Sequence, residues 1–129
     1  MRHEMEVRVY YEDTDLGGIV YYANYLKFIE RGRTELLRDA GVDQVALKED
    51  TGVVFAVRRI EADYLAPAKM DDVLRIETRV ADQGRVRIVM EQGVFRREEQ
   101  LFSAVVTLAC IVESGRPVRV PAPVLAAMA

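Results

Sequence analysis

Residues 11–25 read YEDTDLGGIVYYANY and lead directly into the longest helical pattern of the chain. The stretch contains Asp13 and Asp15, two adjacent glycines and four tyrosines. A carboxylate near a helix N-terminus lies beside unpaired backbone N–H groups and the positive end of the helix dipole. Such an arrangement can bind an anion or stabilise an oxyanion. The same residues also suit a Gly-Gly turn with a capping aspartate before a structural helix, so turn chemistry leaves both interpretations open.

The length and composition indicate one globular domain, residues 1–129. Half of the residues are hydrophobic and 30% are charged, as in ordinary folded proteins. No apolar run approaches the roughly 18 residues of a membrane-spanning helix. Residues 1–4, MRHE, lack the apolar core of a signal peptide. We therefore expect a cytoplasmic protein with no membrane span.

Charge and residue counts disfavour several kinds of site. The net charge of −3 argues against general nucleic-acid binding. The single cysteine, Cys110, excludes an intrachain disulfide and lies in an apolar run, as a small buried hydrophobe does. The only histidine, His3, is close to the terminus, which disfavours Ser-His-Asp and Cys-His catalysis and histidine metal sites. An enzyme with this sequence must use carboxylates and backbone amides, and we expect neither metal nor cofactor.

The first half of the chain predicts one strand and one long helix. Alternating apolar residues predict a strand over 5–11, and helical spacing predicts a helix over 22–40 that ends at Gly41. Gly32 in mid-helix costs about 0.5–1 kcal/mol relative to alanine, which suggests that the helix closely approaches its neighbour. Residues 42–52 are predicted to be a surface connection with about one helical turn.

The second half predicts strands over 53–65, 72–80, 86–94 and 101–112. The apolar phase of the first of these slips at Arg58-Arg59, which predicts a β-bulge. The tail from about residue 114 contains three prolines and is predicted to be extended. Antiparallel strands with one helix indicate an α+β fold, in which a curved sheet of about five strands wraps one long central helix.

One set of residues resembles the signature of the hydroxybenzoyl-CoA thioesterase family, which has the hot-dog fold: Arg8-Val9, Thr14-Asp15, Gly18-Ile19-Val20, Tyr22 and Tyr25. Every constrained position of that signature is met. Residues 64–68, YLAPA, and 71–74, DDVL, also resemble the Tol-Pal-associated, YbgC-type branch of acyl-CoA thioesterases. The similarity extends to about Val112.

The resemblance implies an enzyme that hydrolyses the CoA thioester of a short or medium aliphatic acid to free acid and CoA. Asp15 is then the catalytic carboxylate, as nucleophile or general base, and the backbone N–H of Tyr22 polarises the thioester carbonyl. Gly18 lets the backbone pass close to the substrate, and Tyr25 joins the substrate site. Position 22 often carries histidine in the Tol-Pal-associated branch, so a role for the Tyr22 side chain stays open.

A CoA substrate brings phosphates, for which the candidate contacts are Arg58 and Arg59 at the predicted bulge and Arg85 and Arg87 on the strand after Gly84. The alternative is that these are ordinary exposed strand arginines. Because hot-dog active sites typically lie between two protomers, the resemblance also implies a homodimer or a homotetramer.

Several alternatives remain beside this interpretation. Asp13 could repel Asp15, although a turn-forming role is favoured. Glu30 and Glu35 are interpreted as part of the solvated helix face. The runner-up functions are a thioesterase for acyl groups on acyl carrier protein and a non-catalytic acyl-CoA-binding protein. A hot-dog dehydratase is disfavoured because it needs a histidine.

Overall fold

The computed structural model describes all residues, 1–129, as three helices and six strands. In chain order the elements are β1 Arg2–Arg8, α1 Asn24–Asp39, α2 Gln44–Thr51, β2 Val54–Tyr64, β3 Val73–Gln83, β4 Arg87–Arg96, β5 Glu99–Ile111, β6 Pro117–Val118 and α3 Ala122–Met128. A short 3₁₀ turn, Tyr11–Asp13, follows β1. None of the helices combines the length and the hydropathy that a membrane crossing requires.

The strands form one antiparallel sheet in the order β1-β3-β4-β5-β2. The predicted α+β class and antiparallel sheet are confirmed. The sheet has six strands rather than about five, because the two-residue β6 also pairs with β5. The predicted bulge in β2 is confirmed by a register shift between Val57 and Arg59.

Helix α1 packs on the inner face of the sheet against β1, β3 and β4. Its buried face includes Tyr25, Ile29 and Leu36, as the apolar spacing predicts. The helix begins at Asn24, two residues later than predicted, and Gly41 follows it with φ of +87°. Because glycine adopts this left-handed conformation without strain, the predicted stop is confirmed.

Gly32 lies where α1 comes closest to the sheet. A Cβ atom at this position would lie 2.7 Å from Thr78 Oγ1 and 2.9 Å from Ile76 Cγ2. Beside it, the buried Gln92 amide donates to the Ile29 carbonyl at 2.7 Å and to Thr78 Oγ1 at 2.9 Å. The glycine therefore permits the contact, as predicted, and a buried polar bridge ties the helix to β3 and β4.

Strand β1 spans Arg2–Arg8 rather than the predicted 5–11, because Tyr11–Asp13 already form the 3₁₀ turn. Two further segments differ from the prediction. The 42–52 connection contains the eight-residue helix α2 rather than one turn, because the Asp43 side chain caps the Ala46 N–H at 3.0 Å. The tail is not extended throughout, since it forms β6 and α3. Val124 and Met128 lie one helical turn apart in α3 and are both buried, so their packing on the core stabilises this helix.

The β2–β3 loop, residues 65–72, is held closed by an ion pair. The Arg96 guanidinium donates to Asp72 Oδ2 at 2.7 Å and to the Pro67 carbonyl at 3.3 Å. Asp72 Oδ2 also accepts from the Lys69 N–H at 2.8 Å. Partial burial opposes ionisation of Asp72, but the Lys69 N–H and the Arg96 charge outweigh it, so the pKa of this carboxyl lies below its ordinary value.

We expect Gly32→Ala to destabilise the protein, although alanine is the better helix former. Alanine gains about 1 kcal/mol in helix propensity, whereas forcing a methyl group into a filled contact costs about 1–3 kcal/mol. Urea denaturation should show a net loss of about 1 kcal/mol. Arg31→Ala, on the exposed face of α1, is the matched control and should change little. Unchanged stability in Gly32→Ala would contradict the close contact.

Asp72→Asn should lower the free energy of unfolding at neutral pH by about 1 kcal/mol, because the loop loses its charged acceptor. Since the folded-state pKa is depressed, this contribution is present above the unfolded pKa of about 3.9 and disappears as pH falls through the lower folded value. Urea denaturation of both proteins at a series of pH values measures the difference in their free energies of unfolding. Asp63→Asn, at an exposed position of β2, is the control. A difference in free energy of unfolding that persists in acid would contradict this role of the Asp72 charge.

Candidate active site

Residues 13–22 form a tight turn between β1 and α1, called the Asp15 turn below. The Asp15 N–H donates to the Ile19 carbonyl at 2.9 Å, and the Gly18 N–H donates to the Asp15 carbonyl at 3.0 Å. Gly18 has φ of +79°, which is unstrained only for glycine. These two bonds close the turn around the aspartate that the sequence singles out.

The Asp15 carboxylate is exposed and held by a single hydrogen bond. Its Oδ1 accepts from the Gly17 N–H at 2.9 Å, and no other group of the chain donates to it. A Cβ atom at residue 17 would lie 3.2 Å from this oxygen, so glycine there leaves room for the interaction. The carboxylate is therefore oriented while Oδ2 stays free to react.

The Asp15 turn is attached to the β2–β3 loop. The Val20 N–H donates to the Ala68 carbonyl at 2.9 Å, and Ile19 forms an isolated antiparallel bridge with Lys69. Val20 and Ala68 are both buried at this junction. The position of the turn therefore depends on the loop that Asp72 and Arg96 close.

Asp13 builds the turn and does not pair with Asp15. Its carboxylate accepts from the Tyr10 N–H at 2.8 Å. Its carbonyl accepts from the Tyr21 N–H and from the Asn24 side-chain amide, both at 2.9 Å. The turn-forming role favoured by the sequence is confirmed, and these bonds also tie the turn to the first residue of α1.

Tyr22 lies at the end of the turn, two residues before the first residue of α1. Its backbone N–H has no hydrogen-bond acceptor within the chain. Its carbonyl accepts from the Tyr64 hydroxyl at 2.8 Å, and the residue as a whole is 61% exposed. The Tyr22 N–H is thus an unused donor at the positive end of the helix dipole, available to a ligand oxygen.

Tyr25, predicted to belong to the substrate site, lies in the core with 3% of its surface exposed. Its ring stacks on Phe102 at a centroid distance of 5.1 Å. Its hydroxyl accepts from the Ala68 N–H at 3.0 Å. Within one chain, the Tyr25 hydroxyl therefore holds the β2–β3 loop through its hydrogen bond with Ala68. Direct contact of Tyr25 with the substrate stays a proposal.

The four predicted phosphate-binding arginines are not brought to the Asp15 turn of the same chain. Tyr64, beside the turn, pairs with Phe102, whereas Arg87 pairs with Ala109 further along β5. Phe102 and Ala109 are seven residues apart along β5, which is about 23 Å at about 3.3 Å per residue. Of the other three, Arg85 precedes β4 at the same distant end, and Arg58 and Arg59 lie in mid-β2, where Arg59 pairs with Glu61 at 2.7 Å.

Sequence reasoning missed two supporting contacts. One is the Tyr64 hydroxyl on the Tyr22 carbonyl, and the other is the Asp72–Arg96 pair under the β2–β3 loop. Each joins residues more than 20 positions apart, so no local spacing reveals it. The only sequence signal was the resemblance of residues 64–68 and 71–74 to a family segment.

The arrangement suits the chemistry of acyl transfer. A fixed N–H at a helix N-terminus stabilises negative charge that develops on a carbonyl oxygen. A carboxylate with a free oxygen can attack an acyl carbon or take a proton from water. Both groups belong to one turn.

Known proteins resemble the chain in sequence and in fold. The family model of the thioesterase superfamily matches residues 17–103. The acyl-CoA thioesterase YbgC of Haemophilus influenzae is 44% identical over 122 residues, which cover 94% of this chain and 90% of that protein. A crystal structure of a probable thioesterase from Bartonella henselae is 40% identical, with a TM-score of 0.88 and coverage of 94% of this chain and 100% of that one.

A third comparison concerns the fold alone. The crystal structure of a 4-hydroxybenzoyl CoA thioesterase mutant complexed with 4-hydroxybenzoyl CoA has a TM-score of 0.94 at 22% identity. The alignment covers 99% of both chains. Taken with the family match over most of the chain and the 44% identical relative, this likeness leads to one conclusion: the chain belongs to the thioesterase superfamily and has the hot-dog fold.

Proposed function

We propose that the protein is an acyl-CoA thioesterase that hydrolyses a CoA thioester to free acid and CoA. One observation carries the proposal: the Asp15 turn presents a carboxylate with a free oxygen and, at its end, an unused backbone N–H on Tyr22. The 44% identical relative named as an acyl-CoA thioesterase supports the same activity. We also propose a cytoplasmic location.

In this mechanism the Tyr22 N–H donates to the thioester carbonyl oxygen. Addition of a nucleophile to the acyl carbon moves an electron pair onto that oxygen, and the donor and the helix dipole stabilise the resulting charge. Collapse of the tetrahedral species breaks the carbon–sulfur bond and releases CoA thiolate. The polarisation comes from the backbone, so it does not depend on the side chain at position 22.

Asp15 has two routes open to it. As nucleophile, its free oxygen attacks the acyl carbon and expels CoA, and water then hydrolyses the mixed anhydride and regenerates the carboxylate. As general base, it takes a proton from water while the oxygen of that water attacks, and it returns the proton to the departing thiolate. Rapid acid quenching followed by peptide mass analysis separates the routes, because only the first adds the acyl mass to Asp15.

The proposed substrate carries a short or medium aliphatic acyl group. The 44% identical relative is named for acyl-CoA in general, and the neighbour complexed with 4-hydroxybenzoyl CoA is only 22% identical. Leu16, Ile19 and Tyr21 are exposed beside Asp15 and supply apolar surface. Acyl groups on acyl carrier protein are the alternative substrate, and acyl-CoA binding without turnover is the alternative function.

We further propose that the protein forms a homodimer or homotetramer. Strand β2 is an edge of the sheet, eleven residues long, with Val57 47% exposed and Tyr64 48% exposed. A long unprotected edge favours pairing with another strand. Such pairing would bring Arg58 and Arg59 into the interface, so a second chain is the route by which these arginines could approach CoA.

Asp15→Asn should reduce thioester hydrolysis by orders of magnitude and leave the fold unchanged, because the amide can neither attack the acyl carbon nor accept a proton from water. The assay is release of free thiol from a panel of acyl-CoAs, from acetyl to palmitoyl with benzoyl and hydroxybenzoyl. Glu12→Gln, an exposed carboxylate on the neighbouring 3₁₀ turn, is the matched control. Equal turnover by wild type and Asp15→Asn would remove Asp15 from its role.

If the wild type cleaves no acyl-CoA, the same assay with acyl carrier protein thioesters tests the alternative substrate. Tight acyl-CoA binding without turnover of either kind would favour the non-catalytic function.

Val57→Lys should dissociate the assembly, because it places a charge on the strand edge that we propose pairs with a second chain. Val45→Lys, at a valine on α2 that is 69% exposed, is the matched control and should leave the assembly intact. Sedimentation velocity measures both. A monomeric wild type, or dissociation by the control alone, would contradict pairing through β2.

A further inference from the structure

The Tyr64 hydroxyl makes the one side-chain hydrogen bond to the backbone of Tyr22. Tyr64 is the last residue of β2, and its hydroxyl donates to the Tyr22 carbonyl at 2.8 Å across 42 positions of sequence. The contact therefore joins the edge strand of the sheet to the residue whose N–H we propose as the oxyanion donor.

The Tyr22 carbonyl would otherwise belong to the helix. In an α-helix it would accept from the Leu26 N–H, four residues on. Here the Leu26 N–H donates to the Ala23 carbonyl at 3.1 Å instead. The Tyr64 hydroxyl takes the place of the helical partner on this carbonyl, just before α1 begins at Asn24.

Both peptide groups that flank Tyr22 are thereby anchored. The preceding Tyr21 carbonyl accepts from the Asn24 N–H at 2.8 Å, and the following carbonyl accepts from Tyr64. The Tyr22 N–H shares its planar peptide group with the Tyr21 carbonyl, and the Tyr64 contact fixes the next peptide group, on the other side of the Tyr22 Cα atom. The two contacts together therefore limit the rotation of the segment that carries the Tyr22 N–H. Without the hydroxyl, the Tyr22 carbonyl could join the helical ladder and turn this segment.

The ring of Tyr64 is itself held in place. It packs edge-on against Tyr25 at 5.4 Å and against Phe102 at 5.0 Å between ring centroids. Burial, followed by the neighbouring Tyr22 and Tyr25 hydroxyls, raises the pKa of Tyr64, so the hydroxyl stays a protonated donor. The donor is therefore rigid as well as neutral.

We infer that Tyr64 is a positioning residue for catalysis, whose hydroxyl aims the Tyr22 N–H at the thioester oxygen by holding the Tyr22 carbonyl out of the helix. The inference rests on the proposed function. It assigns to Tyr64 an effect on the transition state and none on the binding of CoA.

The test is Tyr64→Phe, which keeps the ring and removes only the hydroxyl. With the best acyl-CoA of the panel above, kcat and kcat/KM should both fall about 10- to 100-fold with KM little changed, as for a misaimed transition-state donor. Tyr11→Phe is the matched control, since this tyrosine is 79% exposed and its hydroxyl has no partner. Replacing Tyr64 with 4-aminophenylalanine, which restores an N–H donor, should recover part of kcat.

Three results would overturn the inference. The first is a Tyr64→Phe enzyme with wild-type kcat, and the second is a change confined to KM. The third is a kcat loss that 4-aminophenylalanine does not relieve, which would indicate a general packing effect. Asp15→Asn measured in parallel separates this failure from failure of the proposed function. If Asp15→Asn is inactive and Tyr64→Phe is fully active, only the positioning role is wrong.

Discussion

The hydrogen bond from the Val20 N–H to the Ala68 carbonyl joins the two parts of the chain on which the site depends. On one side lies the Asp15 turn, which leads into α1. On the other lies the β2–β3 loop, which the Arg96–Asp72 pair closes. The position of the Asp15 turn therefore depends on contacts with the sheet end as well as on the hydrogen bonds within the turn.

The chain has no histidine near this turn. Its only histidine, His3, lies on β1 and pairs with Asp39 at 3.0 Å, at the far end of α1. The sixteen-residue helix separates that end from Tyr22 by about 24 Å at about 1.5 Å per residue. The groups that the Asp15 turn offers are an exposed carboxylate and a backbone amide, and their proposed action on a thioester depends on accurate positioning.

The features that could be predicted from the sequence follow from the periodicity of apolar residues or from the steric properties of single residues. Alternation predicted the strands, the apolar stripe predicted α1, and the phase slip at Arg58-Arg59 predicted the bulge. Gly32 predicted a close approach between α1 and the sheet, because a glycine in mid-helix costs stability unless a side chain there would meet a neighbour. The motif around Asp15 predicted the turn, whose hydrogen bonds are those that its glycines and Asp13 permit.

Features set by distant partners could not be predicted in this way. The Tyr64 hydroxyl contacts the Tyr22 carbonyl across 42 positions of sequence. Helix α3 is stabilised by the core contacts of Val124 and Met128, and its prolines lie at the N-terminal end, where a helix accepts them. The arginines were proposed from their charge, the predicted bulge and the phosphates of a CoA substrate. None of these indicates the seven-residue offset along β5 between the partner of Arg87 and the partner of Tyr64, and contact of the arginines with CoA stays a proposal.

The proposed mechanism requires that the Tyr22 N–H donates to the thioester carbonyl of a substrate bound beside Asp15. The most direct measurement is the infrared carbonyl stretch of a carbonyl-¹³C-labelled acyl-CoA bound to Asp15→Asn, which should hold the substrate without cleaving it. A strong donor weakens the carbonyl bond, so we expect a stretch at lower frequency on the protein than in water. A bound thioester that keeps its solution frequency would mean that the Tyr22 N–H does not polarise the carbonyl.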